Sequence, residues 1–106
     1  MWCFGDSAGI DFSNISNPSP ITTGLRTRGS CASISDTSGN LLFYANTRAA
    51  SGTYSTLVYD TQNNIMPNGD TIMGTGWYNE LVIVPNPAND STYILFSLGV
   101  TSFYGI

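Results

Sequence analysis

A hairpin-like segment occurs twice in this chain, about half a chain apart, and it constrains the fold more than any other feature. The first copy runs from Ala32 to Tyr44 (ASISDTSGNLLFY) and the second from Leu81 to Ser97 (LVIVPNPANDSTYILFS). Each has a short apolar run, a cluster of Asp, Asn, Pro, Ser or Gly, then a longer apolar and aromatic run. Aligning Ile34 with Val84 offsets the copies by 50 positions, within the ~40–50 residues of one propeller blade or kelch-type repeat. A repeating β architecture is the expectation.

The rest of the chain agrees with strands. No amphipathic helix periodicity is present, and Gly or Pro interrupts almost every window. Only 9% of residues are charged, against roughly 25% in an average soluble protein. Ser, Thr, Asn and Gly fill the polar positions instead, which suits strands and tight turns. At 106 residues and 42% hydrophobic, the chain can fill the core of one ordinary domain. The fold class is therefore all-β, with antiparallel, up-and-down, four-stranded sheets amounting to about two blades of a partial β-propeller.

Residues Met1 to Phe4 and Ile10 to Ser13 read as short extended pieces around Gly5-Asp6-Ser7. Met1 to Phe12 could supply an outer strand to another unit. Asn14 to Gly24 (NISNPSPITTG) reads as a loop. Cys31 to Ser35 and Leu41 to Asn46 form the first strand pair, joined by DTSGN with Gly39 placed for a left-handed turn position. Thr56 to Tyr59 is a strand, Asp60 to Asn64 a turn, and Ile65-Met66 a fourth strand ending at Pro67-Asn68-Gly69. Gly69 to Gly76 is a crossing loop. Leu81 to Val84 and Thr92 to Leu98 restart the pattern, with a further strand beginning at Phe103-Tyr104. The organisation is an N-terminal strand segment and loop over 1–30, a first unit over 31–76 and a second, unfinished unit over 77–106.

Charge narrows the partners. Net charge is −4 and the three cations are Arg26, Arg28 and Arg48. Without a basic stripe to displace counterions from phosphates, nucleic acid is not an expected partner. No apolar stretch approaches the ~20 residues of a membrane span, so membrane insertion is not expected either. The first residues lack the basic, apolar, small-residue order of a secretory signal, and an exported form would take its leader from elsewhere.

Catalytic and metal chemistry find little footing. There is no histidine, which removes a Ser-His-Asp triad and a Cys/His zinc site. Asp36, Ser38 and Asn40 alternate as oxygen donors in DTSGN, yet the closing bidentate Glu of a calcium loop is missing. That segment reads as a turn built on Asp side-chain hydrogen bonds. It also approaches the Asp-box turn of sialidase propellers, with Asp36 and Gly39 one residue too far apart and no closing Trp. Glu80 beside Tyr78, with three arginines, is the nearest approach to a sialidase site. No cofactor is expected. Cys3 and Cys31 could close one loop, or each could sit buried as a small hydrophobe.

The candidate ligand-binding residues are Trp77 and Tyr78, whose aromatic faces could form a sugar-stacking platform. The competing reading packs Trp77 into the seam between blades, where bulky residues fill the core. The packing reading extends to Trp2 and Phe4.

Taken in order, several motifs resemble one family. Trp2, Phe4, Gly5, Ala8, Gly9 and Phe12 match a Trp-x-Phe-Gly-x-x-Ala-Gly-x-x-Phe pattern. Gly29 to Tyr44, with Ser30 inserted, matches Gly-Cys-Ala-x-Ile-Ser-Asp-x-x-Gly-Asn-Leu-Leu-Phe-Tyr. Ile65 to Gly69 (IMPNG), Val82 to Pro87 and Tyr93 to Ser97 follow in sequence. The chain resembles the N-terminal β-propeller-like region of Bacteroidota secreted or surface proteins that end in a gliding-motility-associated, type IX secretion sorting domain. Cys3 stands where that family usually has an aromatic, and Leu57 to Asp60 replace its common Val-Trp pair. The resemblance implies an extracellular or outer-membrane-surface location. It also implies a fragment whose partners include the remaining blades. The expected function is a non-catalytic scaffold or adhesion module, meeting a glycan or surface protein. The alternative is the N-terminal fragment of a sialidase-like propeller glycosidase, with catalytic residues in other blades.

Overall fold

The computed structural model describes residues 1–4, 6–25, 30–47, 55–74 and 81–98. These form eight strands in three antiparallel sheets, with no helix among the described residues. The first sheet holds β1 (Trp2–Phe4), β2 (Ala8–Asp11) and β3 (Ser19–Thr22). The second holds β4 (Cys31–Ser35), β5 (Leu41–Thr47) and β6 (Thr56–Tyr59), and the third β7 (Leu81–Pro85) and β8 (Tyr93–Ser97). Within each sheet, spatial order follows chain order. The all-β, antiparallel, up-and-down reading stands. The four-stranded expectation does not, since the sheets contain three, three and two strands and none is closed.

The first sheet corrects one expectation. Residues 2–4 and 8–11 pair with each other, with Cys3 opposite Gly9, and leave β1 and β3 as the edges of the sheet. The segment read as a loop contains β3, which pairs with β2 through Ile10 opposite Pro20 and Gly9 opposite Ile21. Pro20 argued against a strand because it has no N–H to donate. On an edge strand that loss is tolerated, and β3 is an edge.

The second sheet is the centre of the stack. A register shift between Ile34 and Ser35 places Ile34 opposite Phe43 but Ser35 opposite Leu41. Leu42 is thus the extra residue of a bulge. Because side chains alternate between faces, the one-residue slip moves Leu41 onto the face of Tyr44. One face then packs Tyr44, Leu57 and Tyr59 with Cys31 and Leu41 against Cys3, Met1 and Leu25. The other packs Ala45, Val58, Phe43 and Ala32 against Leu81, Leu95 and Ile72. Tyr44 stacks on its cross-strand partner Tyr59 with centroids 5.0 Å apart and planes 12° from parallel. On the opposite face Phe43 meets Tyr93 edge-on at 5.7 Å.

The fourth strand of this sheet is reduced to contacts at two bridges, Tyr59 with Ile65 and Thr56 with Ile72. Pro67 offers no donor and Asn68 takes a left-handed φ of 61°, so the segment cannot run straight beside β6. It bends away and returns. The Met66 N–H donates to the Val58 carbonyl, and the Val58 N–H donates to Gly69, both at 2.9 Å.

The backbones of the three sheets approach most closely at their first strands, β1 beside β4 and β4 beside β7. Side chains bridge these junctions. The Ser33 hydroxyl donates to the Met1 carbonyl at 3.4 Å, and the Leu81 N–H donates to the Ser30 hydroxyl at 3.1 Å. The Thr56 and Ser97 hydroxyls lie 3.0 Å apart, each within reach of the Met73 carbonyl. Both outer faces of the stack are apolar. Trp2 (65% exposed) and Phe4 lie on the first sheet's, Val82, Ile94 and Phe96 (57%) on the third's.

Candidate functional site

Trp77 and Tyr78, the residues singled out for ligand stacking, lie outside the described residues, as do Arg26, Arg28, Arg48 and Glu80. Trp2 and Phe4, expected to be packed, are instead exposed. Strand alternation is the reason: Cys3 points into the seam with the second sheet, so its neighbours on either side point away. Trp2 finds a partner locally, an edge-on contact with Phe12 at 5.3 Å.

Two five-residue turns at one end of the second sheet share one design. In DTSGN, Asp36 Oδ1 accepts the N–H groups of Ser38 at 2.9 Å and Asn40 at 2.8 Å, while Oδ2 accepts the Asn40 side chain at 3.0 Å. In DTQNN (Asp60 to Asn64), Asp60 Oδ1 accepts from Gln62 at 2.8 Å and Asn64 at 2.9 Å. The fourth position is left-handed in both, Gly39 at φ 87° and Asn63 at φ 67°. Glycine adopts that conformation freely and asparagine tolerates it. The hydrogen bonds favour ionised carboxylates and hold both below the ordinary range. For Asp36 the Asn40 side chain contributes most, and for Asp60 the Asn64 N–H. With both oxygens of Asp36 engaged inside the turn, the calcium-loop geometry is absent from DTSGN. No group of three metal-ligating side chains occurs among the described residues.

The second turn is bound to the first sheet. Asn63 Oδ1 accepts the Tyr44 hydroxyl in a short hydrogen bond and the Gly24 N–H at 3.1 Å. The Tyr44 hydroxyl in turn accepts the Gly24 N–H at 3.0 Å. Tyr44 is completely buried, and burial pushes its phenol above the ordinary value. Burial likewise raises the thiol of Cys3. Both cysteines are thiols, and Cys31 Sγ donates to the Cys3 carbonyl at 3.4 Å.

Above this three-way tie lies a cleft of about 500 Å³ between the first and second sheets. Asp11, Ile21, Asn40, Leu41, Thr61 and Asn63 are among its lining residues. Sequence reasoning passed over this site because its side chains come from separate strands and from turns that each read as ordinary. The signal that could have found it is the recurrence of Asp-Thr-x-x-Asn at Asp36 and Asp60, which marks two equivalent turns at the same end of one sheet.

Compared with known proteins, the chain matches no family model, no curated protein and no solved structure.

Proposed function

We propose that the chain is a non-catalytic repeat module of the extracellular space or cell surface, a scaffold or adhesion element built from successive blades of a propeller. The observation that carries this reading is the approach of β1 to β4 and of β4 to β7, the first strand of each sheet. Sheets arranged radially around a hub come closest at their innermost strands, and propeller blades are arranged in that way. The 50-residue offset supports it, because Cys31 and Leu81 open β4 and β7 while Ser35 and Pro85 close them. The buried polar side chains also serve architecture: Thr47, Ser30 and Thr56 join strands or sheets. The apolar outer faces are suited to receive further sheets of the same kind. The motifs named above favour a type IX secreted, gliding-motility-associated protein, with a glycan or surface protein as its partner.

Protease shaving of intact cells that produce the protein natively, followed by immunoblotting against this chain, tests its placement. Loss of the signal without lysis is expected, and complete protection would overturn surface exposure. Light scattering tests the open stack. The isolated chain should show a mass that rises with concentration, and Phe96→Asp should reduce that rise. A concentration-independent monomer in the unaltered chain would count against the open faces.

A further inference from the structure

We propose that the cleft between the first and second sheets binds one neutral saccharide unit. This deepens the binding role proposed above by giving it a place and a ligand class. The cleft's volume, about 500 Å³, falls in the ~300–1,000 Å³ range of small-molecule sites. Three of its polar side chains, Asp11, Asn40 and Asn63, are held by internal hydrogen bonds and keep capacity for another. Asp11 Oδ1 accepts the Ser13 N–H at 2.9 Å, which leaves Oδ2 open. Asn40 Nδ2 donates to Asp36, which leaves its carbonyl oxygen. Asn63 spends its carbonyl oxygen on Tyr44 and Gly24, which leaves the two hydrogens of its amide nitrogen. The Thr61 hydroxyl can act in either sense. Groups fixed in this way lose little freedom when a ligand arrives.

The chemistry of the ligand follows from that set. Fixed donors and acceptors stand beside the apolar surfaces of Ile21 and Leu41. A pyranose ring matches such a mixture, because each hydroxyl both donates and accepts while the ring C–H groups are apolar. Charged ligands do not match. No side chain among the described lining residues is cationic, and Asp11 would repel a phosphate, sulfate or carboxylate. A hard cation such as calcium needs about six to eight oxygens, whereas Asp11 is the only carboxylate among the described lining residues.

The test is saturation-transfer NMR on the whole chain with methyl β-glucopyranoside, methyl α-mannopyranoside, cellobiose and diacetylchitobiose. Sialyllactose serves as the anionic control. At least one neutral probe should receive saturation, and amide shifts should centre on Asp11, Asn40, Thr61 and Asn63. Asp11→Asn and Thr61→Val should each weaken that binding about fivefold, the difference between a good and a poor hydrogen bond. Both are changes at turn or strand-end positions, and an unchanged melting temperature confirms that each variant is folded. The proposal fails if no neutral probe is saturated, if sialyllactose is preferred, or if both folded variants bind as the parent does. Such a failure would leave the shaving and light-scattering results untouched, so the broader reading is judged separately.

Discussion

The Tyr44 hydroxyl and the Asn63 side-chain carbonyl are hydrogen-bonded across two turns of chain, and the Gly24 N–H points at both oxygens. One tyrosine on the central sheet thereby fixes the end of β3 and the turn after β6. Tyr44→Phe keeps the ring stacked on Tyr59 and leaves Gly24 bonded to Asn63, so it should cost only about 1 kcal/mol. Asn63→Ala should cost more, because it removes the acceptor and also replaces a residue that tolerates the left-handed φ of 67° with one that does not, a further cost of up to about 1–2 kcal/mol. Asn63→Gly should fall between the two. Urea denaturation ranks them, and an alanine variant as stable as the glycine variant would show that the left-handed turn is not held in solution.

Acid should weaken the fold through Asp36 and Asp60. Both carboxyls are held below 3.8 in the folded chain, so the unfolded chain binds protons more readily. Their stabilising contribution is fully present above that ordinary value and is lost as pH falls through the lower folded values. The Asp36→Asn, Asp60→Asn double variant retains an oxygen acceptor in each turn but cannot titrate. Urea midpoints measured from neutral pH downward should therefore fall less steeply for the double variant. Parallel profiles would mean that the turns do not hold the charge.

Gly74 lies against the bridge between the second and third sheets. A Cβ there would fall on the Thr56 hydroxyl and 2.9 Å from that of Ser55, both buried residues. Gly74→Ala should destabilise by about 1–3 kcal/mol, the usual cost of overpacking. In a Thr56→Ala background the same change should cost measurably less, because the atom it strikes is gone. Thermal melts of the four chains give this coupling, and strict additivity would show that the obstruction lies elsewhere.

The parts of the fold visible in the sequence are those in which strand alternation and turn chemistry agree. β4, β5, β6 and the turns at Asp36 and Asp60 stand where the apolar runs and Asx-Gly or Asx-Asn clusters place them. β3 was hidden because Pro18 and Pro20 read as loop residues, and only knowing that the strand lies on an edge makes Pro20 acceptable. The Ile65-Met66 strand is reduced to a bridge at Ile65 and a single Met66 hydrogen bond to Val58, because the turn at Pro67-Asn68-Gly69 follows at once and leaves no length to pair with β6. The cleft was illegible for a different reason. The repeated Asp-Thr-x-x-Asn turn places Asn40, Thr61 and Asn63 at one end of one sheet, but only the packing of the first sheet on the second brings Asp11 to them.

Each sheet is cut from one unbroken stretch of chain, and its backbone comes nearest its neighbours' at its leading strand. A complete sheet could therefore be duplicated or deleted at its boundary without rethreading any other. Such a gene can change the number of its units by simple unequal recombination, while each unit's turns drift apart. The two Asp-Thr-x-x-Asn turns of the second sheet, with glycine at the fourth position of one and asparagine at that of the other, show how little of a turn must be kept for its geometry to persist.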